Sequence, residues 1–506
     1  MRMMTLFCLL IITACTAPAQ PAEPSSVPTT LPTSTTPPSG ETTDTPIAAQ
    51  LTATPVPTAT PTATPYIAAV PPPGDAVLLS VLDQQEQRRE IRLVDPATGQ
   101  KIPGYPPIKA AHAAFSPDGQ KLAAIEYGGQ SCVTAGGSLC VPVVLHLVDI
   151  QTWHEVTAAL PALPPSGWAE PIAFSPDNAR LALVYQETDA GALMLFDTSQ
   201  ARLIAQRPLD FRVAQMAFAA DGKMLSLYGQ PDGPHFGEVK PPPPRILLVD
   251  GATLDLKWNQ TLADIVSGSW CLETCDQSHE LRLSVSWRPA ALFSRDGGRL
   301  TIVHADSERL TTVDLSARTV RTVEIRAARS WFEQLLDLTA GVAEAKGGFV
   351  GAYKTAVILP DGKTLYLLGQ MMNAARDSQG RWDTTYATTG LHVIDTQSGR
   401  QTATRESSSK WIKLTADGAT LLLTGNDVQN NWWSEVYDTR TLQRVARLDQ
   451  WEVTPSRRLD GQPILLASQP LRRQPQLAVL DPRTFAVLHI WSADTFDFWP
   501  SAIVWE

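Results

Sequence analysis

The 506-residue sequence lacks a block of basic residues, the common catalytic motifs and any apolar run long enough to span a bilayer. Its formal net charge is −10 without a lysine or arginine cluster, which argues against a nucleic-acid partner. No GxSxG, HExxH, GxxxxGK[ST] or EF-hand pattern occurs, so the sequence names no catalytic residue. We therefore expect no metal and no cofactor. Enzymatic activity stays open, because a fold can bring distant residues together.

The N-terminal residues have the pattern of a secretory signal. Arg2 precedes a short apolar run over Met3–Thr13, which ends at Ile12-Thr13-Ala14-Cys15. A basic start and a run of about ten apolar residues are typical of a signal peptide. The four residues also resemble the bacterial lipobox, which implies cleavage after residue 14, lipidation of Cys15 and anchoring in the cell envelope. The alternative is an ordinary signal peptide with a chance cysteine.

From Thr16 to about Gly74 the sequence consists mainly of Thr, Pro, Ala and Ser. Such a segment buries too little apolar surface to fold. Its prolines favour extended polyproline II, which limits its reach to about 180 Å. We predict a disordered tether over residues 15–74 and one folded domain over residues 75–506.

The chain has six cysteines, and Cys8 and Cys15 belong to the signal and the anchor. An even number of remaining cysteines in an exported chain favours disulfides, although three connectivities are possible. The pairs that are closest in sequence are Cys132 with Cys140 and Cys271 with Cys275. Zinc is the alternative, but no histidine pair stands at ligand spacing beside either pair.

Two short patterns alternate along the folded domain. The first is an apolar strand, a tight Asp/Gly turn and a second strand, with copies over Ala113–Ile125 and Ile172–Val184, further copies from Met216, Leu292, Val357 and Ile412, and a degenerate copy over Val453–Leu466. The second is an apolar strand that ends in aspartate at Asp95, Asp149, Asp197, Asp250, Asp314, Asp395, Asp438 and Asp481. An aspartate at the start of a turn accepts nearby backbone amides, so we assign these carboxylates a structural role.

Each repeat supplies four strands, which predicts an all-β fold made of the blades of a single β-propeller. Eight aspartate strands predict eight blades, or seven if the degenerate unit near Thr454 is not a blade. The first blade lacks its innermost strand, and residues 501–505 can supply it beside Ala76–Leu82. This closure would remove the open edge of the ring.

The repeats FSPDG and LVDxxTG resemble those of TolB-like and YVTN-type bacterial propellers, which are similar to WD repeats without the tryptophan-aspartate dipeptide. The resemblance covers about Ala76–Glu506 and implies the propeller fold. Such propellers serve as scaffolds, binding modules and occasional enzymes, so the resemblance leaves function open.

Both tight turns of a blade should lie at one end of the ring, which leaves the long insertions on the opposite face. A capping box at Ser330 predicts a short helix within one insertion. Binding residues concentrate in loops on rigid scaffolds, and these insertions carry the candidate binding residues Trp270, Trp331, Trp382, Trp432 and Trp433. The alternative is that these tryptophans pack down over the blades.

Three functions fit the sequence. The first is a membrane-anchored, extracytoplasmic and non-enzymatic module that binds a protein or a cell-surface glycan as a monomer. The second is a propeller enzyme of the lactonase or quinoprotein-dehydrogenase type, which the YVTN-type resemblance favours. The third is a structural spacer.

Overall fold

The computed structural model describes residues 70–502 except for 84–87, 129–131, 134–138, 164–166, 188–189, 231–233, 236–240, 274–282, 328–348, 377–381, 470–475 and 492–497. All regular structure in this part of the chain is β, in 37 strands, which confirms the predicted all-β class. The signal peptide, Cys15, most of the tether and the short helix predicted after Ser330 lie outside the described residues.

The strands form eight sheets, and each sheet contains one four-stranded antiparallel blade. Blade 1 contains β1 (Val77–Asp83), β2 (Arg88–Val94) and β3 (Ile108–Lys109). Blade 2 contains β4 (His112–Phe115), β5 (Lys121–Tyr127), β7 (Leu139–Asp149) and β8 (His154–Leu163), with the short β6 (Cys132–Val133) beside β7. Blade 3 contains β9 (Trp168–Phe174), β10 (Arg180–Glu187), β11 (Ala190–Asp197) and β12 (Arg202–Leu209). Blade 4 contains β13 (Val213–Phe218), β14 (Met224–Gly229), β16 (Arg245–Asp250) and β17 (Leu256–Thr261).

Four more blades follow in the same order. Blade 5 contains β20 (Ala290–Phe293), β21 (Arg299–Val303), β22 (Arg309–Asp314) and β23 (Thr319–Glu324). Blade 6 contains β24 (Phe349–Ile358), β25 (Thr364–Arg376), β27 (Leu391–Asp395) and β28 (Gln401–Arg405). Blade 7 contains β29 (Trp411–Leu414), β30 (Thr420–Asn426), β31 (Trp432–Asp438) and β32 (Arg444–Asp449). Blade 8 contains β33 (Glu452–Arg457), β34 (Pro463–Ser468), β35 (Leu477–Leu480) and β36 (Val487–Trp491).

The last strand of the chain, β37 (Phe498–Ala502), completes blade 1. It pairs antiparallel with β1, so that Leu79 lies opposite Ala502 and Asp83 opposite Phe498. The predicted closure by the C-terminus is therefore confirmed, with a strand that begins three residues earlier than the sequence indicated. The degenerate repeat also folds as predicted, because β33 and β34 form the inner hairpin of a complete blade.

The apolar core of the domain lies between the blades. Every pair of neighbouring blades shares one cluster of buried apolar side chains. The interface between blade 8 and blade 1 also contains such a cluster. At that last interface Trp491 is buried, and its Nε1–H donates to the carbonyl oxygen of Pro96 at 3.2 Å. Packing at all eight interfaces makes the described blades one closed ring of eight.

In blades 2 to 8 the first strand is the innermost, and in blade 1 the innermost strand is β37. From blade 2 to blade 8 and on to β37, these strands contact one another around the ring. They consequently surround the axial channel, and the two ends of each first strand lie at the two openings of that channel.

The side chains of the repeat motif explain the tight turns. In blade 2 the hydroxyl of Ser116 donates to Asp118 Oδ1 at 2.7 Å and accepts from the amide of Lys121 at 2.8 Å, while Gly119 takes a φ of 74°. The eight strand-ending aspartates each accept a backbone N–H from two or three residues further on, at 2.7–2.9 Å. This confirms the structural role predicted for them.

Both turns of a blade lie at the same end of the ring, as predicted. In blade 2 the amide of Ile150, after the aspartate turn, donates to the carbonyl of Gln120 in the hairpin turn at 2.8 Å. Blades 3 to 7 repeat this hydrogen bond. We call this end the plain face and the opposite end the elaborated face.

Insertions from blades 4, 5 and 6 extend the sheet of blade 6 into a crown on the elaborated face. This crown contains β15 (Pro234–His235), β18 (Gly268–Glu273), β19 (Leu283–Arg288) and β26 (Trp382–Thr388), together with the ends of β24 and β25. Strands β19 and β24 pair in parallel, with Ser286 opposite Gly351. The sequence placed these insertions on one face but did not predict that they form strands.

Candidate functional site

The five candidate tryptophans have different surroundings. Trp270 is half-buried and packs on the small crown core around Val285 and Met372. Trp433 is only 9 % exposed, and its indole fills the space over Gly425. The Trp433 side chain therefore packs within blade 7. The backbone of Trp382 lies opposite Arg376 in the crown, while its side chain and all of Trp331 lie outside the described residues.

Trp432 is different because it forms a stacked pair with Trp411, a residue that the sequence analysis did not single out. The two ring centroids are 5.3 Å apart and the planes differ by 11°. Trp411 is 41 % exposed, although it begins an innermost strand. We call this pair the aromatic platform.

Lys410 borders the aromatic platform. Its ammonium group lies 5.9 Å from the centroid of the Trp411 ring and donates a hydrogen bond to Asn426 Oδ1 at 2.6 Å. Asn426 ends β30 at the same level. The platform consequently combines an exposed aromatic surface with a cation and an amide, as ligand sites commonly do.

On the opposite side of the channel the fold brings together His112 and Glu170, which are far apart in sequence. His112 Nδ1 lies 3.0 Å from Glu170 Oε2, and both side chains are partly exposed. The hydrogen bond from His112, with the charge of Arg212, holds the pKa of Glu170 below its ordinary value. The ring of Tyr127 meets the His112 ring edge to face at 5.9 Å.

Two further cations lie on aromatic rings at this opening. The guanidinium of Arg212 stands 4.3 Å from the centroid of the Trp168 ring. The guanidinium of Arg288 stands 5.3 Å from that of Tyr353. Arginine on an aromatic face is attracted by the ring quadrupole, so these side chains are held in place around the opening.

Blades 6 to 8 carry two lysines and one carboxylate on their innermost strands. Burial lowers the pKa of Lys354 on β24. Burial also lowers the pKa of Lys413 on β29, whose ammonium group lies 2.9 Å from Thr454 Oγ1 and 3.8 Å from Glu452 Oε1. Together with the aromatic platform, these side chains form a polar and aromatic rim that we call the channel mouth.

Two clefts lie elsewhere on the ring. One of about 490 Å³ opens between blades 6 and 7 on the elaborated face, where Thr389, Arg405 and Ser407 line it. The other, of about 640 Å³, lies on the plain face between blades 5 and 6 and is lined by Asp314 and Asp395. Both aspartates already accept their own turn amides, so the second cleft is a gap between structural turns.

Among residues 70–502 outside the gaps, no three histidine, cysteine or acidic side chains are grouped as a metal site would require. The same part of the chain contains no helix that is long and apolar enough to cross a membrane. Of the predicted disulfides, the backbone of Cys132 lies directly opposite Cys140 in β6 and β7. Cys271 lies opposite Ser284, and Cys275 is outside the described residues.

The fold defines the class of this protein as an eight-bladed β-propeller with an aromatic and cationic channel mouth. No protein-family model matches the chain, and no curated protein matches it in sequence.

The chain is similar in structure to several solved proteins. Dihydro-heme d1 dehydrogenase NirN shares 13 % identity over 84 % of this chain and 74 % of that chain, with a TM-score of 0.49. A eukaryotic initiation factor shares 12 % identity over 85 % and 89 %, with a TM-score of 0.46. The Cps50 (Swd1) β-propeller domain of Myceliophteria thermophila shares 13 % identity over 78 % and 98 %, with a TM-score of 0.38. Similarity at this level carries no argument about function.

Most residues of the channel mouth were not predicted from the sequence, because they lie outside the insertions. His112, Glu170, Arg212 and Trp411 lie within or directly before the first strand of a repeat, four to seven residues ahead of the hairpin turn. An alignment of the repeats on their turns would have shown that these positions face the same opening.

Proposed function

We propose that this protein is a non-enzymatic binding module of the bacterial cell surface. Lipidated Cys15 holds it to the membrane, residues 15–74 set its reach, and the elaborated face binds a protein or glycan partner. The observation that carries this proposal is the aromatic platform, in which an exposed Trp411 stacks on Trp432.

An exposed tryptophan at this position favours a partner over mere packing. Trp and Tyr are the residues that most often dominate binding energy at interfaces, and offset or parallel ring contacts fix their orientation before the partner arrives. Trp433 already has a packing role, because its buried ring lies over Gly425. The exposed surface of Trp411 therefore remains available for contact.

The predicted anchor and disulfides belong to the same proposal. Directly opposite residues of an antiparallel pair have Cβ atoms about 4.5–5.5 Å apart, close to the spacing of a disulfide, which supports a bond between Cys132 and Cys140. Metabolic labelling with an alkyne fatty acid should label the chain, and Cys15→Ser should abolish the label. Retained label in the variant would contradict lipidation at Cys15.

The binding role is tested with the full chain carrying Cys15→Ser, which allows work without detergent. The immobilised protein is incubated with a glycan array and with envelope proteins, beside a Trp411→Ala/Trp432→Ala variant. The matched control is Leu488→Ala/Ile490→Ala, which removes two exposed apolar side chains from the outer strand β36. We expect binding to be lost in the tryptophan variant and retained in the control. Equal binding by all three proteins would contradict the proposal, and no binding to anything would favour the spacer.

The enzyme is the second candidate, and the pair of His112 and Glu170 at the channel mouth favours it. A histidine oriented by a carboxylate is the arrangement of a general base. Turnover of lactone or ester substrates by the full chain, abolished in His112→Gln, would support an enzyme. If no turnover occurs, or if turnover is unchanged in His112→Gln, the enzyme hypothesis is contradicted.

A further inference from the structure

Successive blades place a cation at the channel mouth of an acidic protein. The whole chain has a net charge of −10. Nevertheless, blades 4, 5, 6 and 7 each carry a basic residue at or directly before the upper part of the innermost strand, namely Arg212, Arg288, Lys354 and Lys410. Because the innermost strands of consecutive blades contact one another, these four cations follow one arc of the opening.

Among the described residues, no acid at this level forms an ion pair with Lys354 or Lys410. Glu170 binds His112 and lies within the field of Arg212, and Glu452 lies beside Lys413. Lys354 forms no hydrogen bond or ion pair with another described residue, and its ammonium group lies against Gly369, where an added Cβ would be 3.0 Å from Nζ. Lys410 binds only a neutral amide and an aromatic ring. Neither ammonium group forms an ion pair with a described carboxylate, although the charge of Glu308 acts on Lys354 and that of Asp427 on Lys410 at longer range.

Aromatic rings alternate with these cations. Trp168 accompanies Arg212, Tyr353 accompanies Arg288, and Trp411 accompanies Lys410, each within 6 Å. A phosphate site would need the cations alone. Alternating rings and cations suit a ligand that presents apolar C–H faces and carboxylates in turn, because the negative ring face attracts polarised C–H groups and the cations form charge-assisted hydrogen bonds.

We propose that the channel mouth binds an acidic oligosaccharide whose sugar rings carry carboxylates. Trp411 and Trp168 stack on the sugar rings, and Lys354 and Lys410 bind the carboxylates. This inference rests on the proposed binding function and names the chemical class of its ligand.

The probe is a uronic-acid oligosaccharide prepared from alginate, and a neutral mannose oligosaccharide of the same length is the uncharged control. The full chain with Cys15→Ser is titrated by calorimetry, beside Lys410→Gln and Lys354→Gln. The matched control is Lys223→Gln, which removes an exposed lysine from a hairpin turn of the plain face. Thermal melts establish that each variant is folded, and Lys410→Gln serves as the surface variant if Lys354→Gln does not fold.

We expect the acidic oligosaccharide to bind and the neutral one to bind at least tenfold more weakly. Each mouth variant should lose about tenfold in affinity, as expected for one charge-assisted contact, and Lys223→Gln should lose nothing. Equal binding of both oligosaccharides, an equal loss in Lys223→Gln, or no binding of the acidic one would overturn the inference. Equally tight binding of a poly-glutamate peptide would also overturn it, because the mouth would then recognise charge without the sugar.

The two proposals fail separately. If the acidic oligosaccharide does not bind but Trp411→Ala/Trp432→Ala loses another partner, the inference is wrong and the binding function stands. If every ligand binds that double variant normally, the binding function itself is contradicted.

Discussion

A buried ion cluster in blade 2 should make the stability of the ring depend on pH. His146 on β7 is 8 % exposed and lies on the face of blade 2 that packs against blade 1. Its Nδ1–H donates to Glu155 at 2.5 Å and its Nε2–H to Glu126 at 3.2 Å. Burial alone would lower the pKa of His146, but the two carboxylates outweigh it and raise the pKa to about 9.

The magnitude follows from the difference between the folded and unfolded pKa. A rise from 6.5 to about 9, at about 1.4 kcal/mol for each pH unit, corresponds to about 3 kcal/mol. Because the folded pKa is the higher one, this stabilisation is complete below pH 6.5 while the carboxylates are ionised. It is lost as the pH rises from 6.5 through about 9.

The assay is urea unfolding of the full chain with Cys15→Ser, followed by tryptophan fluorescence at pH 6 and pH 9.5, beside His146→Gln. The free-energy difference between the two proteins should shrink by about 3 kcal/mol between these pH values. His489→Gln, on the exposed outer strand β36, is the control and should leave the pH profile unchanged. A difference between wild type and His146→Gln that is the same at both pH values would refute the reasoning.

Two further changes test the packing of the ring. Arg318→Gly should raise the free energy of unfolding by about 1 kcal/mol in urea titrations, because Arg318 is exposed and holds a φ of 56° that disfavours side chains. Arg321→Gly, within strand β23, should lower it instead. Gly425→Ala should lower the stability by about 1–3 kcal/mol, since its Cβ would come within 2.5 Å of the Trp433 ring. Adding Trp433→Leu should recover part of that loss, and no recovery would contradict the steric explanation.

The fold could be predicted from the sequence because the same turn and strand residues recur in every repeat. Every blade needs the same turn hydrogen bonds, so an aspartate such as Asp95 or Asp481 recurs at the same place in each repeat. The number of these aspartates therefore equals the number of blades. The residue four positions after each of these aspartates has a positive φ, which the sequence did not indicate. Glycine occupies that position only at Gly99 and Gly399, while other residues, such as the buried Trp153 and the exposed Arg318, adopt it elsewhere.

The candidate site was predicted only in part, since its residues come from different blades. Trp432 stood out as an aromatic residue in an insertion, but its partner Trp411 lies in a regular strand. The pairing of His112 with Glu170 depends on the contact between neighbouring innermost strands, which a local pattern does not show. Likewise, the sequence around a tryptophan does not show whether its side chain is exposed, like that of Trp411, or buried, like that of Trp433.

The chain closes into one ring, and the channel mouth exists only because the innermost strands surround an axis. Ser80 lies opposite Ser501 in the closing pair of β1 and β37. Cysteines at both positions should be joined by a short bifunctional maleimide, and mass spectrometry of the digested full chain should identify the linked peptides. If both cysteines react with a monofunctional maleimide yet no linked peptide forms, the ring is not closed in this way.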